Sequence, residues 1–233
     1  MADQVTLTPD QEAIAGHGKG PALVLAGAGS GKTATLIERA SRLIESGEAV
    51  PSDLLMLTFS RKAAREMKIR LRQRLSAIDA EGVRVDTFHG FGYQFMRDHK
   101  TDFGLGEDER FAILSESDQK RMLTELCQSA AEANGVDNKK LRKQLTSMFK
   151  VWSKLKQDGV CPSDPGKALD RIMKAEAEGS DRGGEAQRNP NVAETLCAKM
   201  LVDYEYQKRS ERYLDFDDLL LLPARLMHKY PER

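Results

Sequence analysis

Several features that would identify a class of protein are scarce or missing in this chain of 233 residues. Its three cysteines, Cys127, Cys161 and Cys197, are odd in number and far apart, so neither a zinc ribbon nor a disulfide framework is predicted. No apolar run approaches the ~18 residues of a membrane span, and the N-terminal segment MADQVTLTPDQEAIAG lacks the basic and apolar regions of a signal peptide. We therefore expect a cytoplasmic protein with reduced thiols.

The chain also has no formal net charge at pH 7. Lys and Arg together number 36, and Asp and Glu together also number 36, so the overall charge predicts no particular partner. Hydrophobic residues make up 40% of the chain and charged residues 31%, which is ordinary for a globular protein. Any signal for nucleic-acid binding must therefore be local.

The first hundred residues alternate between strand-like and helix-like segments. Pro21 to Gly27, Asp53 to Phe59 and Gly82 to Phe88 are short apolar runs, which predict buried parallel strands. Helices are predicted from Lys32 onwards and after Ser60, a residue type that often serves as N-cap. Such an order is typical of a parallel, doubly wound α/β unit.

The character of the chain changes from about Lys100. An amphipathic helix is predicted to start at Ser115 or Ser117, and another is predicted to end at Gly159. Glu178 to Asn191 is polar and rich in glycine, which predicts a mobile loop. No strand alternation is present here, so the sequence predicts an all-helical module attached to, or inserted into, the α/β unit.

A phosphate-binding loop follows the first predicted strand. The segment AGAGSGKT departs from the pattern G-x-x-x-x-G-K-[ST] only because Ala26 replaces the first glycine. Glycines let backbone N–H groups face phosphate oxygens, and the helix N-terminus adds a favourable dipole. Lys32 is predicted to reach the β and γ phosphates and Thr33 to offer its hydroxyl to Mg²⁺. The predicted ATP site comprises Ala26, Gly27, Ala28, Gly29, Ser30, Gly31, Lys32 and Thr33.

Carboxylates that could hold the metal and activate water are harder to find. A Walker B element requires an apolar strand followed by an acidic residue, and Asp86 follows only a short strand interrupted by Arg84. Asp215, Asp217 and Asp218 precede their apolar run, so they are expected to be first-turn acids that the helix dipole favours. The residues alone predict nucleotide binding without a clear catalytic carboxylate pair.

Four motifs in one order resemble those of the UvrD/Rep-type superfamily 1 helicases. LTPDQEAI resembles the Q motif, AGAGSGKT the Walker A loop, LTFSRKAAREMKIRL motif Ia and VDTFHGFGYQFM motif Ib. A later stretch, YLDFDDLLLLPARLM, resembles the segment with which such chains return from the 1B subdomain to the 1A core. The resemblance implies a RecA-like P-loop NTPase, an α/β fold whose parallel sheet carries an inserted all-helical subdomain.

The resemblance also implies a domain plan. Residues 1–98 would be the first part of the RecA-like 1A core, 99–213 the helical 1B insertion, and 214–233 the return to 1A. In this family the Asp-Glu pair of motif II follows shortly after the DFDDLL helix, and this chain ends before that strand at Arg233. We therefore expect an N-terminal portion that lacks motif II and the second RecA-like domain, and that binds ATP without hydrolysing it alone.

Residue roles follow from the same resemblance. Gln11 would hydrogen-bond the adenine edge, because a Gln amide donates and accepts at once. The family often places Arg after the Walker Thr, to stack on adenine, whereas this chain has Ala34. Motifs Ia and Ib would contact single-stranded DNA, and a stacked Phe59 would contribute on the order of 1–3 kcal/mol. The implied DNA-binding residues are Thr58, Phe59, Arg61, Thr87, Phe88 and His89.

Two basic stretches leave alternatives open. Between Arg61 and Arg74 only one acidic residue interrupts the basic ones, and Arg72 and Arg74 are expected on a solvated face. Phe88, outside this stretch, could belong to the core. The stretch from Lys139 to Lys156 holds seven basic residues and no acidic one. It is either a second DNA contact or a plain surface helix with Trp152 packed inward.

The combined prediction is the ATP- and DNA-binding part of an ATP-dependent DNA helicase that acts in repair, recombination or replication. ATP and Mg²⁺ are the implied cofactors, single-stranded DNA and its junctions with duplex are the implied partners, and 3′ to 5′ polarity rests on the resemblance alone. The alternative is a non-catalytic nucleotide- or DNA-binding regulatory module. A small P-loop kinase is a third reading, but it leaves the TF dipeptides of motifs Ia and Ib unexplained.

Overall fold

A computed structural model describes residues 6–104, 106, 109–160, 164–178 and 190–231. The chain divides into two compact units, Met1–Phe91 and Gly92–Arg233. Each unit has its own buried core. None of the helices in the described ranges combines the length and the apolar character that crossing a bilayer requires.

The first unit is built from short helices around a parallel pair of strands. Its elements are α1 (Pro9–Ala15), α2 (Lys32–Glu45), β1 (Leu55–Thr58), α3 (Arg61–Arg74), α4 (Ala77–Gly82) and β2 (Arg84–Thr87), after which α5 (Phe88–Asp98) runs across the unit boundary. The predicted helices at Lys32 and after Ser60 are confirmed, and the Ser60 hydroxyl accepts a hydrogen bond from the Ala63 N–H as an N-cap.

The strands β1 and β2 pair in parallel, with Leu55 opposite Arg84 and Thr58 opposite Thr87. Both were predicted, although each is shorter than the apolar run that indicated it. Helices α2 and α3 pack against each other and, with the strand residues, enclose the core of the unit. This core consists of Ile37, Ala40, Ala64, Met67, Leu71, Ala80, Val83 and Val85.

The predicted strand at Pro21 to Gly27 is wrong. This segment has no strand conformation and pairs with no strand in the described ranges, and the side chains of Leu23 and Leu25 are 87% and 88% exposed. An apolar run indicates a residue's preference for burial, but burial in a sheet also requires a neighbouring strand. Here the segment leads directly into the phosphate loop without such a neighbour.

The second unit is dominated by helices. Its further elements are β3 (Ala112–Ile113), α6 (Glu116–Asn134), α7 (Asn138–Gln157), α8 (Pro165–Glu178), α9 (Val192–Ser210), β4 (Tyr213–Leu214) and α10 (Asp218–Lys229). Ser115 is the N-cap of α6, as predicted. The expectation of purely helical structure is wrong in one detail, because β3 and β4 pair in parallel. Two residues are too few to produce a recognisable alternation.

Helix α9 lies at the centre of the second unit and packs against α6, α7 and α8. The core around it includes Cys127, Leu141, Leu145, Met148, Trp152, Ile172, Cys197 and Leu201. Cys127 and Cys197 are free, buried thiols, and burial raises the pKa of Cys197 to about 12. Cys161 and most of the predicted Glu178–Asn191 loop lie outside the described residues.

Candidate functional site

The predicted phosphate loop runs into the N-terminus of α2. Gly29 and Gly31 have φ angles of 77° and 80°, the left-handed region that favours glycine. Gly31 is the N-cap of α2, and none of the described side chains caps the first turn of the helix. A helix start without a side-chain cap leaves backbone N–H groups for an anion. Glycines in the left-handed region and an uncapped helix start are both features of phosphate-binding loops.

Lys32 folds back over this loop. Its Nζ donates hydrogen bonds to the carbonyl oxygens of Ala26, at 3.0 Å, and Gly27, at 2.5 Å. An ammonium held only by exposed backbone carbonyls can exchange these partners for phosphate oxygens. Thr33 follows in the first turn of α2 and is half-buried. These donors and this hydroxyl fit a nucleotide triphosphate with its divalent cation.

Gln11 links α1 directly to the phosphate loop. Its Oε1 accepts from the Thr8 backbone N–H at 2.9 Å, which forms a capping box, and its Nε2 donates to the Ser30 carbonyl at 2.9 Å. A Gln amide has two donor hydrogens and two acceptor lone pairs. One donor and one acceptor therefore remain on Gln11, which is the pattern that the amino group and ring nitrogen of adenine require.

The predicted motif Ia and motif Ib residues meet at the carboxyl ends of the two strands. Thr58 and Thr87 are directly opposite in the parallel register, and the next residues, Phe59 and Phe88, form a tilted ring pair with centroids 5.3 Å apart. Phe59 is 92% exposed and Phe88 is 39% exposed, so neither belongs to the core. In α/β sheets the carboxyl ends of the strands are the usual ligand-binding edge.

Thr87 has a structural role as well. It is buried, and its Oγ1 accepts a hydrogen bond from the Gly90 N–H at 3.0 Å, at the start of α5. Asp86 accepts from the Thr87 N–H at 2.7 Å through its Oδ1. The Thr87 hydroxyl thus stabilises the turn that presents Phe88 and the half-buried His89.

Basic side chains of α3 line a pocket beside these strand ends. The pocket has a volume of about 410 Å³ and is bordered by Arg61, Ala64, Arg65, Lys68, Val85, Asp86 and Thr87. Arg65 and Lys68 were not among the predicted site residues. Arg65 lies four residues after Arg61, and Lys68 lies three residues after Arg65, so all three share one helix face. The sequence already contained this signal.

The other half of the basic run binds carboxylates within the fold. Arg72 pairs with Glu81 at 2.5 Å, and Arg74 pairs with Glu38 at 3.0 Å and with Glu45. Hydrogen bonding from Arg74 outweighs burial and lowers the pKa of Glu38. The expectation of a merely solvated face is therefore wrong for Arg74, which ties α3 to α2.

Two buried lysines and three buried carboxylates form what we call the buried charge cluster: Lys156, Lys208, Glu205, Asp215 and Asp218. Lys156 Nζ lies 3.0 Å from Glu205 and 2.8 Å from both Asp215 and Asp218. Lys208 Nζ lies 2.9 Å from Glu205 and 2.6 Å from both Asp215 and Asp218. Asp218 lies in the first turn of α10, as expected, whereas Asp215 precedes the helix, so the expectation of a first-turn acid is wrong for Asp215. The burial of both carboxylates against two lysines was not predicted.

The pKa values of Asp215 and Asp218 shift in opposite directions, although burial acts on both in the same sense. Burial alone would raise the pKa of Asp215, but attraction to Lys156 and Lys208 outweighs it and lowers that pKa. For Asp218, burial dominates and raises the pKa. The carboxylate oxygens of Glu205, Asp215 and Asp218 lie within 4.8 Å of one another, a spacing compatible with a metal. The two ammonium groups already balance two of the three negative charges, so the arrangement is an internal ion cluster.

Helix α7 exposes five lysines, and four of them form a row along one face. Lys139, Lys143, Lys150 and Lys154 are exposed and recur at spacings that place them on one face. None of them forms an ion pair with a described residue. Lys156 and Trp152 of the same predicted basic stretch are buried instead, and the Trp152 Nε1 donates to Glu205 at 3.1 Å.

Comparison with known proteins identifies close counterparts of this chain. The sequence profile of the UvrD/REP helicase N-terminal domain matches residues 7–233. The probable DNA helicase II homolog of Rickettsia felis is 33% identical over 229 residues, 97% of this chain and 30% of that protein. The ATP-dependent DNA helicase Rep of Escherichia coli is 33% identical over 226 residues, 97% of this chain and 29% of that protein.

A more distant relative matches in the same way. The ATP-dependent DNA helicase PcrA of Staphylococcus aureus is 29% identical over 214 residues, 92% of this chain and 25% of that protein. The chain therefore spans about 30% or less of the length of these curated relatives.

Proposed function

Because the chain belongs to the UvrD/REP helicase N-terminal domain family, we propose that it is the ATP- and single-stranded-DNA-binding N-terminal region of an ATP-dependent DNA helicase. The observation that carries the proposal is the hydrogen bond between Gln11 and the Ser30 carbonyl, at 2.9 Å. It holds a side chain with the adenine-reading pattern against a loop with phosphate-binding geometry. An adenine nucleotide satisfies both features at once.

In the nucleotide complex, each group of the loop has a distinct task. The backbone of Ala26 to Gly31 surrounds the phosphates, and Lys32 leaves its two carbonyl partners to bind the β and γ oxygens. Thr33 offers its hydroxyl to Mg²⁺, which neutralises charge on the phosphates when it is bound. Gln11 uses its remaining donor and acceptor on the adenine edge.

Single-stranded DNA is proposed to lie along the carboxyl ends of β1 and β2. Phe59 offers a nearly fully exposed ring to a base, beside Phe88. Arg61, with Arg65 and Lys68 in the same pocket, is placed to neutralise the phosphates of the strand. Thr58, Thr87 and His89 complete this surface. We propose the lysine face of α7 as a second DNA contact, near a junction with duplex.

The domain plan remains part of the proposal. We assign residues 1–98 and 214–233 to a RecA-like 1A core and 99–213 to an inserted 1B subdomain. In the longer protein, ATP binding would close two RecA-like domains and hydrolysis would reopen them, which moves the enzyme along one strand. The 3′ to 5′ direction and a role in repair, recombination or replication are proposed by analogy with the family.

We further propose that this chain binds ATP but does not hydrolyse it. Asp215 cannot serve as a metal ligand, because its two oxygens already accept from Lys156, Lys208 and Tyr204. Asp86 accepts from its neighbour's backbone N–H through Oδ1. Asp86 also borders the pocket lined by Arg61, Arg65 and Lys68, which we assign to DNA. We therefore propose that neither Asp215 nor Asp86 activates water.

The test is phosphate release from ATP by this chain, with and without single-stranded DNA, alongside nucleotide binding and a Lys32→Ala control. We expect micromolar-range or weaker ATP binding that the control abolishes, and no phosphate release above the control. DNA-stimulated release that Lys32→Ala removes would refute the non-catalytic part. If the chain binds DNA but does not bind ATP, the result would favour a DNA-binding module and refute the nucleotide assignment.

A further inference from the structure

Helix α1, which carries Gln11, is too short to hold its own position. It spans seven residues, Pro9–Ala15, and Ala15 is its one buried residue among those described. Isolated helices of this length are marginal in water, so their placement depends on tertiary contacts. Two arginines of α2, Arg39 and Arg42, form hydrogen bonds to α1 and to the residues just after it.

Arg39 binds the carboxyl end of α1 through its guanidinium. Nη1 donates to the carbonyl oxygens of Ile14, at 3.4 Å, and of His17, and Nη2 donates to Gly18 at 3.2 Å. The last carbonyls of a helix lack partners within it and carry the negative end of its dipole. Of these three oxygens, that of Ile14 belongs to α1, whereas His17 and Gly18 follow the C-cap Gly16, so the planar guanidinium binds the end of the helix together with the turn after it.

Arg42 adds a second, more exposed connection. Its guanidinium makes a bidentate contact with Glu12, at 2.7 and 3.0 Å, and this hydrogen bonding lowers the pKa of Glu12. Exposed ion pairs contribute little to stability on their own. Arg39 is half-buried and contacts the backbone, so it determines where the end of α1 lies more directly than Arg42 does.

A single helix thereby sets two parts of the proposed nucleotide site. Lys32 begins α2 at the phosphate loop, and Arg39 lies seven residues later, about 10 Å along the axis at 1.5 Å per residue. Gln11 lies three residues before Ile14, and six and seven residues before His17 and Gly18, the residues whose carbonyls Arg39 binds. The position of the Gln11 amide relative to the phosphate-binding donors therefore depends on Arg39 as well as on the direct hydrogen bond from Gln11 to the Ser30 carbonyl.

We propose that Arg39 is a positioning residue for adenine recognition, which acts by holding α1 so that Gln11 meets the base edge. The inference rests on the proposed nucleotide-binding function. Arg39 itself touches no nucleotide. Its effect is expected to be large in this chain, because Ala34 cannot stack on the base and the edge contacts of Gln11 must provide the selectivity.

The experiment measures binding of ATP, GTP and inorganic tripolyphosphate, each with Mg²⁺, to the 233-residue chain by titration calorimetry. The variants are Arg39→Ala, Arg39→Lys and, as a matched control, Arg72→Ala, whose arginine pairs with Glu81 away from α1. Tripolyphosphate reports the phosphate loop alone, whereas the ratio of ATP to GTP affinity reports recognition of the base.

We expect Arg39→Ala to weaken ATP about tenfold, the loss of one to two hydrogen bonds, and to bring the ATP to GTP ratio close to one. The affinity for tripolyphosphate should stay within about twofold of the wild-type value. A variant whose fold is damaged would lose tripolyphosphate binding as well. Arg39→Lys should be intermediate, because one ammonium cannot span three carbonyls. Arg72→Ala should match the wild type.

Two results with Arg39→Ala would overturn the inference while leaving nucleotide binding intact. One is an unchanged ATP to GTP ratio in Arg39→Ala, and the other is a parallel loss of ATP and tripolyphosphate, which would make Arg39 a support of the loop itself. A wild-type chain that binds ATP and GTP equally would also overturn it. A wild-type chain that binds neither nucleotide would refute the proposed function first, and the inference with it.

Discussion

Replacing Lys156 by Met tests the buried charge cluster directly. The substitution keeps a long, flexible side chain but removes an ammonium that contacts three carboxylates at 2.8–3.0 Å. Two positive and three negative charges become one and three, so the buried net charge changes from −1 to −2. Burial would lower the pKa of Lys156, but the carboxylates outweigh it and raise that pKa, so the lysine is charged at neutral pH.

The expected loss of stability is large. Removing one partner of a buried ion pair costs about 3–5 kcal/mol, because the remaining charge stays desolvated. With a urea m-value of about 2 kcal/mol/M, this corresponds to a midpoint lowered by about 2 M. A surface lysine should behave differently, and Lys154→Met on the exposed face of the same helix should change the free energy of unfolding by less than about 0.5 kcal/mol.

The protein contains its own reporter for this measurement. Trp152 is the one tryptophan in the sequence, is 1% exposed, and donates to Glu205 within the cluster. Urea unfolding followed by Trp152 fluorescence therefore reports the second unit, and circular dichroism provides an independent probe. If Lys156→Met and Lys154→Met unfold at the same urea concentration, the cluster does not stabilise the fold as argued here.

The pH dependence supplies a second check on the same cluster. The folded-state pKa values of Asp215 and Glu205 are lowered, so their stabilisation is present above their unfolded pKa values, about 4, and is lost as pH falls through the lower folded values. In Lys156→Met the excess negative charge favours protonation of one carboxylate, first Asp218, whose pKa is already raised. The difference in stability from wild type should therefore shrink between pH 8 and pH 5, and a constant difference would contradict this account.

Three further predictions address packing and DNA contacts. Gly92→Ala should lower the free energy of unfolding by about 3 kcal/mol, measured by urea unfolding, because the new Cβ would lie 1.8 Å from the Leu219 carbonyl oxygen. Phe59→Ala should leave thermal stability unchanged, because Phe59 is exposed, but should weaken single-stranded DNA binding by about tenfold or more in fluorescence anisotropy. Lys150→Glu with Lys154→Glu should weaken DNA binding and reduce the slope of log K against log[salt] by about 1.4–1.8.

Each of these has a control and a result that would contradict it. Gly18→Ala introduces a Cβ with no neighbour within 4 Å, so it should be tolerated where Gly92→Ala is not. Equal DNA affinity in Phe59→Ala and wild type would show that Phe59 does not stack on a base in the complex. An unchanged salt slope in the Lys150 and Lys154 variant would identify α7 as a plain surface helix.

The local features of this protein were predictable from sequence because they depend on neighbouring residues. The start of α2 after the phosphate loop, the Ser60 and Ser115 caps and the strands before Phe59 and Phe88 all follow from short-range patterns. The family was recognisable for the same reason, since its motifs are short and contiguous. Arg65 and Lys68 could also have been found from their spacing.

Only the tertiary structure decided which charged and apolar groups, far apart in sequence, become partners. Lys156 belongs to a basic stretch that reads as surface, yet it is buried against Asp215, 59 residues later. Arg74 likewise differs from Arg65 only because Glu38, 36 residues earlier, lies beside it. The charge of a side chain follows from its residue type, which the sequence gives. Whether a charged side chain is buried depends on which opposite charges the folded chain brings within a few ångströms of it. Leu23 and Leu25 illustrate the same limit for apolar residues, because burying them in a sheet requires a strand to pair with.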